Sequence, residues 1–162
     1  MTHDNPVTAY IGIGSNLADP LQQVTDVLPQ LDQIQNTRLV QYSSLYQSAA
    51  VVAPGSEIEQ DDYINAVARL ETTLHAFDLL LELQAIEHAF YRQRDKESKW
   101  APRTMDLDII LYDQLQQNDS HLTIPHPEMV NRLFVLTPLQ EIAGSLYIPT
   151  LGSLEYLIQH AP

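Results

Sequence analysis

Asp106 and Asp108 stand two apart in the run TMDLDIILY, residues 104–112. Side chains alternate on a β-strand, so both carboxylates would project from one face while Leu107 and Ile109 point the other way. Two acids held that close repel, and both stay ionised at neutral pH only beside positive charge. Mg²⁺ is the natural occupant, because it takes carboxylate oxygens and keeps other positions for water and phosphate. A solvated strand end would carry the same two residues.

Positive charge lies just upstream. Of the eight Lys and Arg in the chain, five (Arg92, Arg94, Lys96, Lys99, Arg103) fall within residues 92–103, and Asp95 and Glu97 leave that stretch locally +3. The chain as a whole carries -13, which argues against a long nucleic-acid partner, since that requires a broad basic face. A focused basic patch suits a small polyanion such as a nucleoside triphosphate. Arg92, Arg94 and Arg103 fit phosphate oxygens because guanidinium stays charged and donates through two N–H groups at once. A solvated loop balancing an acidic surface is the other reading. Trp100, the only tryptophan, lies in this loop and either covers a ligand or packs back on the domain.

Tyr63 and Asn65 are also two apart and share a strand face, where a ring beside an amide could hold a flat heterocycle with polar edges. A half-exposed strand face that carries a tyrosine and an asparagine is the commoner arrangement. Thr123-Ile124-Pro125-His126, then Met129, Arg132 and Phe134, form a further block, with His126 held between two prolines in a stiff turn. That histidine suits a phosphate contact or a structural hydrogen bond. The usual nucleotide cradles are absent: Leu17 stands where G-x-G-x-x-G needs its third glycine, and no G-K-[ST] occurs. Gly12 and Gly14 read as plain turn chemistry or as room for close backbone approach.

The elements that must position these groups follow from periodicity. Residues 7–13 read as a buried strand ended by Gly14-Ser15-Asn16, and Asp19-Pro20 as the N-cap and first position of a helix running to about Leu31. Residues 38–46 have β-type composition, and 47–62 form an acidic loop. Residues 63–70 alternate as a half-buried strand, 77–90 form an amphipathic helix, 91–103 the basic loop and 104–112 a strand. Helical signals resume at 131–142 and 154–160. The order β-α-β-β-α-β predicts an α+β fold with a ferredoxin-like βαββαβ core and additional C-terminal helices and strands. At 162 residues and 44% apolar, a single domain spanning 1–162 is expected. No basic-plus-apolar leader, long apolar run or cysteine is present, so a soluble cytoplasmic protein without disulfides, thiol chemistry or a cysteine metal site is expected.

Three runs in order, YIGIGSN (10–16), PRTMDLD (102–108) and PHPEMVNRLF (125–134), with Glu87 and the DYIN run ending at Asn65, carry a resemblance. Over about residues 7–157 the chain resembles the 6-hydroxymethyl-7,8-dihydropterin pyrophosphokinases of folate biosynthesis. The resemblance implies transfer of pyrophosphate from ATP to the pterin hydroxymethyl group with release of AMP. It implies that Asp106 and Asp108 hold two Mg²⁺ ions on the triphosphate, and that Arg92 and Arg103 act in a catalytic loop. His126 and Arg132, with Arg94, would contact phosphates, and Gln84, Glu87, Ile109 and Thr123 the rest of the nucleotide. Tyr63, Asn65 and Phe134 would form the pterin pocket, with Gly14 and Trp100 nearby and backbone contacts from Ser48, Ala49 and Val51. The chain departs from the family where T-x-P-x-G often follows the second strand: here the run is Ser48-Ala49-Ala50-Val51-Val52. The partners implied are ATP and a dihydropterin alcohol, with no nucleic acid or membrane, in a monomer. A two-metal nucleotide phosphohydrolase and a non-enzymatic ligand-binding module are the competing classes.

Overall fold

A four-position antiparallel sheet carries everything that follows. The computed structural model describes residues 2–49, 62–94 and 105–162, with backbone alone for 91–94. The sheet runs in the order β2-β4-β1-β5, with β3 also paired to β4, where β1 is Thr2–Ser15, β2 Thr37–Tyr42, β3 Tyr46–Ser48, β4 Tyr63–Leu74 and β5 Met105–Tyr112. Helix α1 (Pro20–Asp32) joins β1 to β2, and α2 (Ala76–Arg94) joins β4 to β5. Two small hairpins, β6–β7 (Gln117–Asn118, Thr123–Ile124) and β8–β9 (Tyr147–Ile148, Gly152–Ser153), accompany α3 (Leu133–Ala143) and α4 (Leu154–His160).

Alternation along the strands sorts the core into two layers. Ala9, Ile11 and Ile13 of β1, Ala66, Ala68 and Leu70 of β4 and Leu107 and Ile109 of β5 pack with Val24, Leu31, Leu79 and Leu83 of α1 and α2. On the opposite face Val67, Ile110 and Leu111 pack with Leu136 and Leu139 of α3 and Leu154 of α4. Leu136 is fully buried in this second layer. Leu136→Ala should cost about 3 kcal/mol through lost transfer energy and the cavity left behind. Urea unfolding checks it, and a loss below about 1 kcal/mol would mean the second layer is loosely packed.

Several sequence expectations need correction. Asp19 occupies the N-cap position of α1, but its backbone is left-handed (φ 59°) and its side chain makes no capping bond. Helix α2 continues through Arg94 rather than ending at Phe90, since Tyr-Arg-Gln-Arg contains no helix breaker; Arg92 and Arg94 therefore stand on its last turn. The expected strand 38–46 is two strands separated at 43–45. Strand β4 is covered on both faces rather than half-buried. Strand β1 runs through Gly12 and Gly14 to Ser15, so these glycines form no turn.

Candidate functional site: a glycine-floored trough

The glycines lie on the inner strand β1, on the face that α3 covers only in part. In register, Gly12 pairs with Asp108 and Gly14 with Asp106 on one side, and Gly14 with Asn65 on the other. The central strand thus presents no side chain at these two positions, while β5 presents Asp108 and Asp106 beside them and β4 presents Asn65 beside Gly14 and Val67 beside Gly12. With strands about 4.8 Å apart, a trough results, walled by the acid pair on β5 and by Tyr63 and Asn65 on β4. A Cβ at Gly12 would lie 2.9 Å from Ile110 Cδ1, and one at Gly14 would lie 3.3 Å from Asn65 Oδ1 and 3.6 Å from a Tyr63 ring carbon. Any larger residue would push into the trough walls.

The resulting cleft of about 180 Å³ is lined by Asp106, Asp108, Ile110, Tyr63, Asn65 and the glycines, and closed by Ser48, Ala49, His126, Arg132, Phe134 and Val135. Ile110 escapes a reading of motifs, although it extends the Asp106–Asp108 alternation by one step. It is also the extra residue of a β-bulge, since Tyr10 pairs with Leu111 and Ile11 with Ile109. Bulges release backbone groups from the ladder. Here the Ile110 carbonyl accepts the His126 N–H at 3.0 Å, which brings the imidazole to the acid pair.

The His126 Nε2 lies 4.0 Å from Asp108 Oδ2. Its Nδ1 accepts the Glu128 N–H at 3.2 Å, so in the neutral ring the proton sits on Nε2, facing the cleft. Burial pushes the His126 pKa below its ordinary value, against the opposing pull of Asp108. Arg132 places its guanidinium carbon 5.8 Å from the centre of the Phe134 ring, uniting a cation and an aromatic wall. Asn65 is nearly buried. Its Nδ2 donates to Ser48 Oγ at 2.7 Å and towards the Tyr46 carbonyl at 3.4 Å, which leaves Oδ1 on the Gly14 side.

Glu87 lies behind the acid pair on α2, and its Oε2 accepts the Leu107 N–H at 2.9 Å. Burial, and then the charges of Asp106 and Asp108, raise its carboxyl to about 7, although the Leu107 hydrogen bond pulls it down. The folded state therefore holds this proton more tightly than the unfolded chain, where the ordinary value is 4.5. The associated stabilisation is complete below that ordinary value and is lost as pH rises through about 7. Glu87→Gln keeps an acceptor for Leu107 without the charge. Without divalent cation, its melting temperature should match the wild type at about pH 5 and exceed it at about pH 8. A pH-independent difference between the two would contradict this.

Other expected residues lie elsewhere. Gln84 is exposed on α2, and Thr123 is half-buried on β7 with its hydroxyl donating to Asn118 Oδ1 at 3.2 Å. The Ile109 side chain is buried in the first core layer, on the face away from the trough. Val51, Trp100 and Arg103 lie outside the described residues, as do the side chains of Arg92 and Arg94.

The acid pair offers hard oxygen ligands that are accessible and on one face. Among the described residues no group of three or more His, Asp or Glu could cage a metal ion. Such a donor set fits Mg²⁺, which binds through one or two carboxylates and completes its shell with water and substrate phosphates. It does not fit a closed structural site.

The cleft brings together a carboxylate pair, the Arg132 cation and an aromatic–amide wall, groups suited by their chemistry to phosphate on one side and a flat polar ring on the other. Residues 10–144 match the family model described as 7,8-dihydro-6-hydroxymethylpterin-pyrophosphokinase (HPPK), and the chain belongs to that family. It is 45% identical over 154 residues to the 2-amino-4-hydroxy-6-hydroxymethyldihydropteridine pyrophosphokinase of Haemophilus influenzae, covering 94% of this chain and 92% of that one. Its identity to the enzyme of the same name from Pseudomonas aeruginosa is 40%, over 94% and 91% of the two chains. Among solved structures, Plasmodium falciparum HPPK-DHPS with pteroate superposes with a TM-score of 0.65 at 11% identity, over 98% of this chain and 43% of that one. That likeness concerns the fold alone. Among the described residues no helix is long and apolar enough to cross a membrane.

Proposed function

We propose that the trough is where this chain carries out its family's reaction, transfer of pyrophosphate from ATP to the hydroxymethyl group of 6-hydroxymethyl-7,8-dihydropterin in folate biosynthesis. The observation that carries the assignment of sites is the glycine floor between two chemically different walls. The acid pair on β5 suits the phosphates, and the Tyr63–Asn65–Phe134 wall suits the pterin.

The pterin hydroxyl oxygen forms a bond to the β-phosphorus, the bond from that phosphorus to the AMP oxygen breaks, and the hydroxyl proton passes to solvent. Positioning and charge neutralisation carry most of the rate in such transfers. Tyr63 and Phe134 sandwich the bicycle, and Asn65 Oδ1 accepts from its N–H edge. The neutral His126 donates from Nε2, and Arg132 donates from its guanidinium, to phosphate oxygens. The family likeness assigns Arg92, Arg94 and Arg103 the task of adding positive charge to the triphosphate, and such closure by arginines excludes water. Gln84, Glu87, Thr123 and the main chain of Ile109 face the rest of the nucleotide, while Gly14, Ser48 and Ala49 border the pterin, a role the family likeness extends to Val51 and Trp100. Asp106 and Asp108 would hold two Mg²⁺ ions, which supply neutralisation of the phosphate charge and polarisation of the phosphoryl group.

The antiparallel order β2-β4-β1-β5 and the sequence β-α-β-β-α-β support a ferredoxin-like core within one domain of 162 residues. The protein acts as a cytoplasmic monomer on small molecules, and its net charge of -13 disfavours nucleic acid.

Product analysis tests the reading. AMP should accumulate only when ATP, Mg²⁺ and the pterin alcohol are all present, in step with the diphosphorylated pterin. AMP released from ATP alone would make the protein a hydrolase instead.

A further inference from the structure

We infer that Glu141, which does not line the cleft, is a positioning residue for pterin recognition: its carboxylate clamps the β2–β3 bulge so that Ser48 meets Asn65 in the register that turns the Asn65 carbonyl into the trough. The inference rests on the pterin-site reading given above.

Tyr42 of β2 pairs with Ala68, but Tyr46 of β3 pairs with Asn65. Residues 43–45 therefore face only 66 and 67, so the edge carries one extra residue. A slip of one position would reverse the faces of everything beyond it, Ser48 included. Ser43 holds one side of the bulge to β4: its N–H donates to the Val67 carbonyl and its Oγ accepts the Val67 N–H, both at 2.9 Å. The Ser44 N–H, turned out of the ladder, donates to Glu141 Oε2 at 2.8 Å, and the Ser44 hydroxyl donates to the same oxygen at 3.0 Å. The Tyr46 hydroxyl donates to Glu141 Oε1 at 2.5 Å. Both carboxylate oxygens are thus engaged by residues on either side of Leu45.

From Tyr46 the connection reaches the pocket in one step. Its carbonyl and the Ser48 hydroxyl are the two acceptors of Asn65 Nδ2. At the other end of α3 stand Phe134 and the Arg132 cap, so Glu141 also ties the helix bearing Phe134 to the strand bearing Ser48. A single exposed hydrogen bond would have little effect. Convergence of the Tyr46 and Ser44 donors holds the Glu141 carboxyl below the usual carboxylate range, as a formed network should.

Steady-state kinetics with ATP and the pterin alcohol varied separately test the role, on wild type, Glu141→Ala, Tyr46→Phe, the double variant and Glu155→Gln. The last removes a charge from α4, where Glu155 accepts only the Ser145 hydroxyl among the described contacts. Glu141→Ala should raise the pterin KM about tenfold while kcat and the ATP KM stay within about twofold. Tyr46→Phe should raise the pterin KM by less, the double variant no further than Glu141→Ala alone, and Glu155→Gln not at all. A pterin KM in Glu141→Ala or Tyr46→Phe equal to the wild type, or parallel changes in kcat and both KM values, would overturn the inference. Wild-type protein that forms no AMP in response to pterin would overturn both the inference and the functional reading beneath it.

Discussion

Replacing Asp108 by alanine is expected to lower kcat about a thousandfold or more at saturating Mg²⁺, with folding intact. The Asp108 carboxylate is part-exposed in the cleft, and among the described residues its ion-pair neighbour is His126, at 4.0 Å. Nearly half of this side chain is exposed, so thermal unfolding should change little. What disappears is half of the carboxylate pair on the trough wall, which in the proposed mechanism holds a divalent cation against the triphosphate chain. Charge neutralisation is the largest contribution to phosphoryl transfer, so the defect should appear in kcat rather than in pterin affinity. Extra Mg²⁺ cannot restore a missing ligand. Near-normal turnover at saturating Mg²⁺ would remove Asp108 from the mechanism.

Asn65→Ala should weaken pterin binding about a hundredfold while leaving nucleotide binding unchanged. Two effects add. The acceptor Oδ1 beside Gly14 is lost, so pterin N–H groups taken from water find no partner. The Ser48 hydroxyl also loses the donor that ties β3 to β4 at the cleft edge. Asp106, Asp108 and Arg132 stay in place, so an ATP analogue should bind as before. Unchanged pterin affinity, measured by titration of the nucleotide-loaded protein, would contradict the assignment of this wall.

Much of the architecture is legible in the amino-acid order because it depends on local periods. The two aspartates share a face because a strand alternates, and the order of helices and strands follows from stripes of Leu, Ile and Val. What escapes depends on pairing between distant segments. The bulge at Ile110 and the break at 43–45 arise from register against β1 and β4. Neither leaves a local mark beyond serines in a β-rich run. Gly12 and Gly14 read as turn residues when isolated, and become a floor only when Asp108, Asp106 and Asn65 are placed beside them. Residues 63–70 read as half-buried because nothing nearby announces that a second core layer will cover Val67. Ile109, which the family likeness brings to the nucleotide, keeps its side chain in the core, so only its main chain is available for that role.

Isothermal titration with a non-hydrolysable ATP analogue, with and without Mg²⁺ and then with the pterin alcohol, tests most directly whether the acid pair holds the phosphates across the trough from the pterin. Tight nucleotide binding should require both Mg²⁺ and the two aspartates, and the pterin should then bind the loaded protein. Equal nucleotide affinity without Mg²⁺, or in an Asp106→Ala/Asp108→Ala variant, would contradict it.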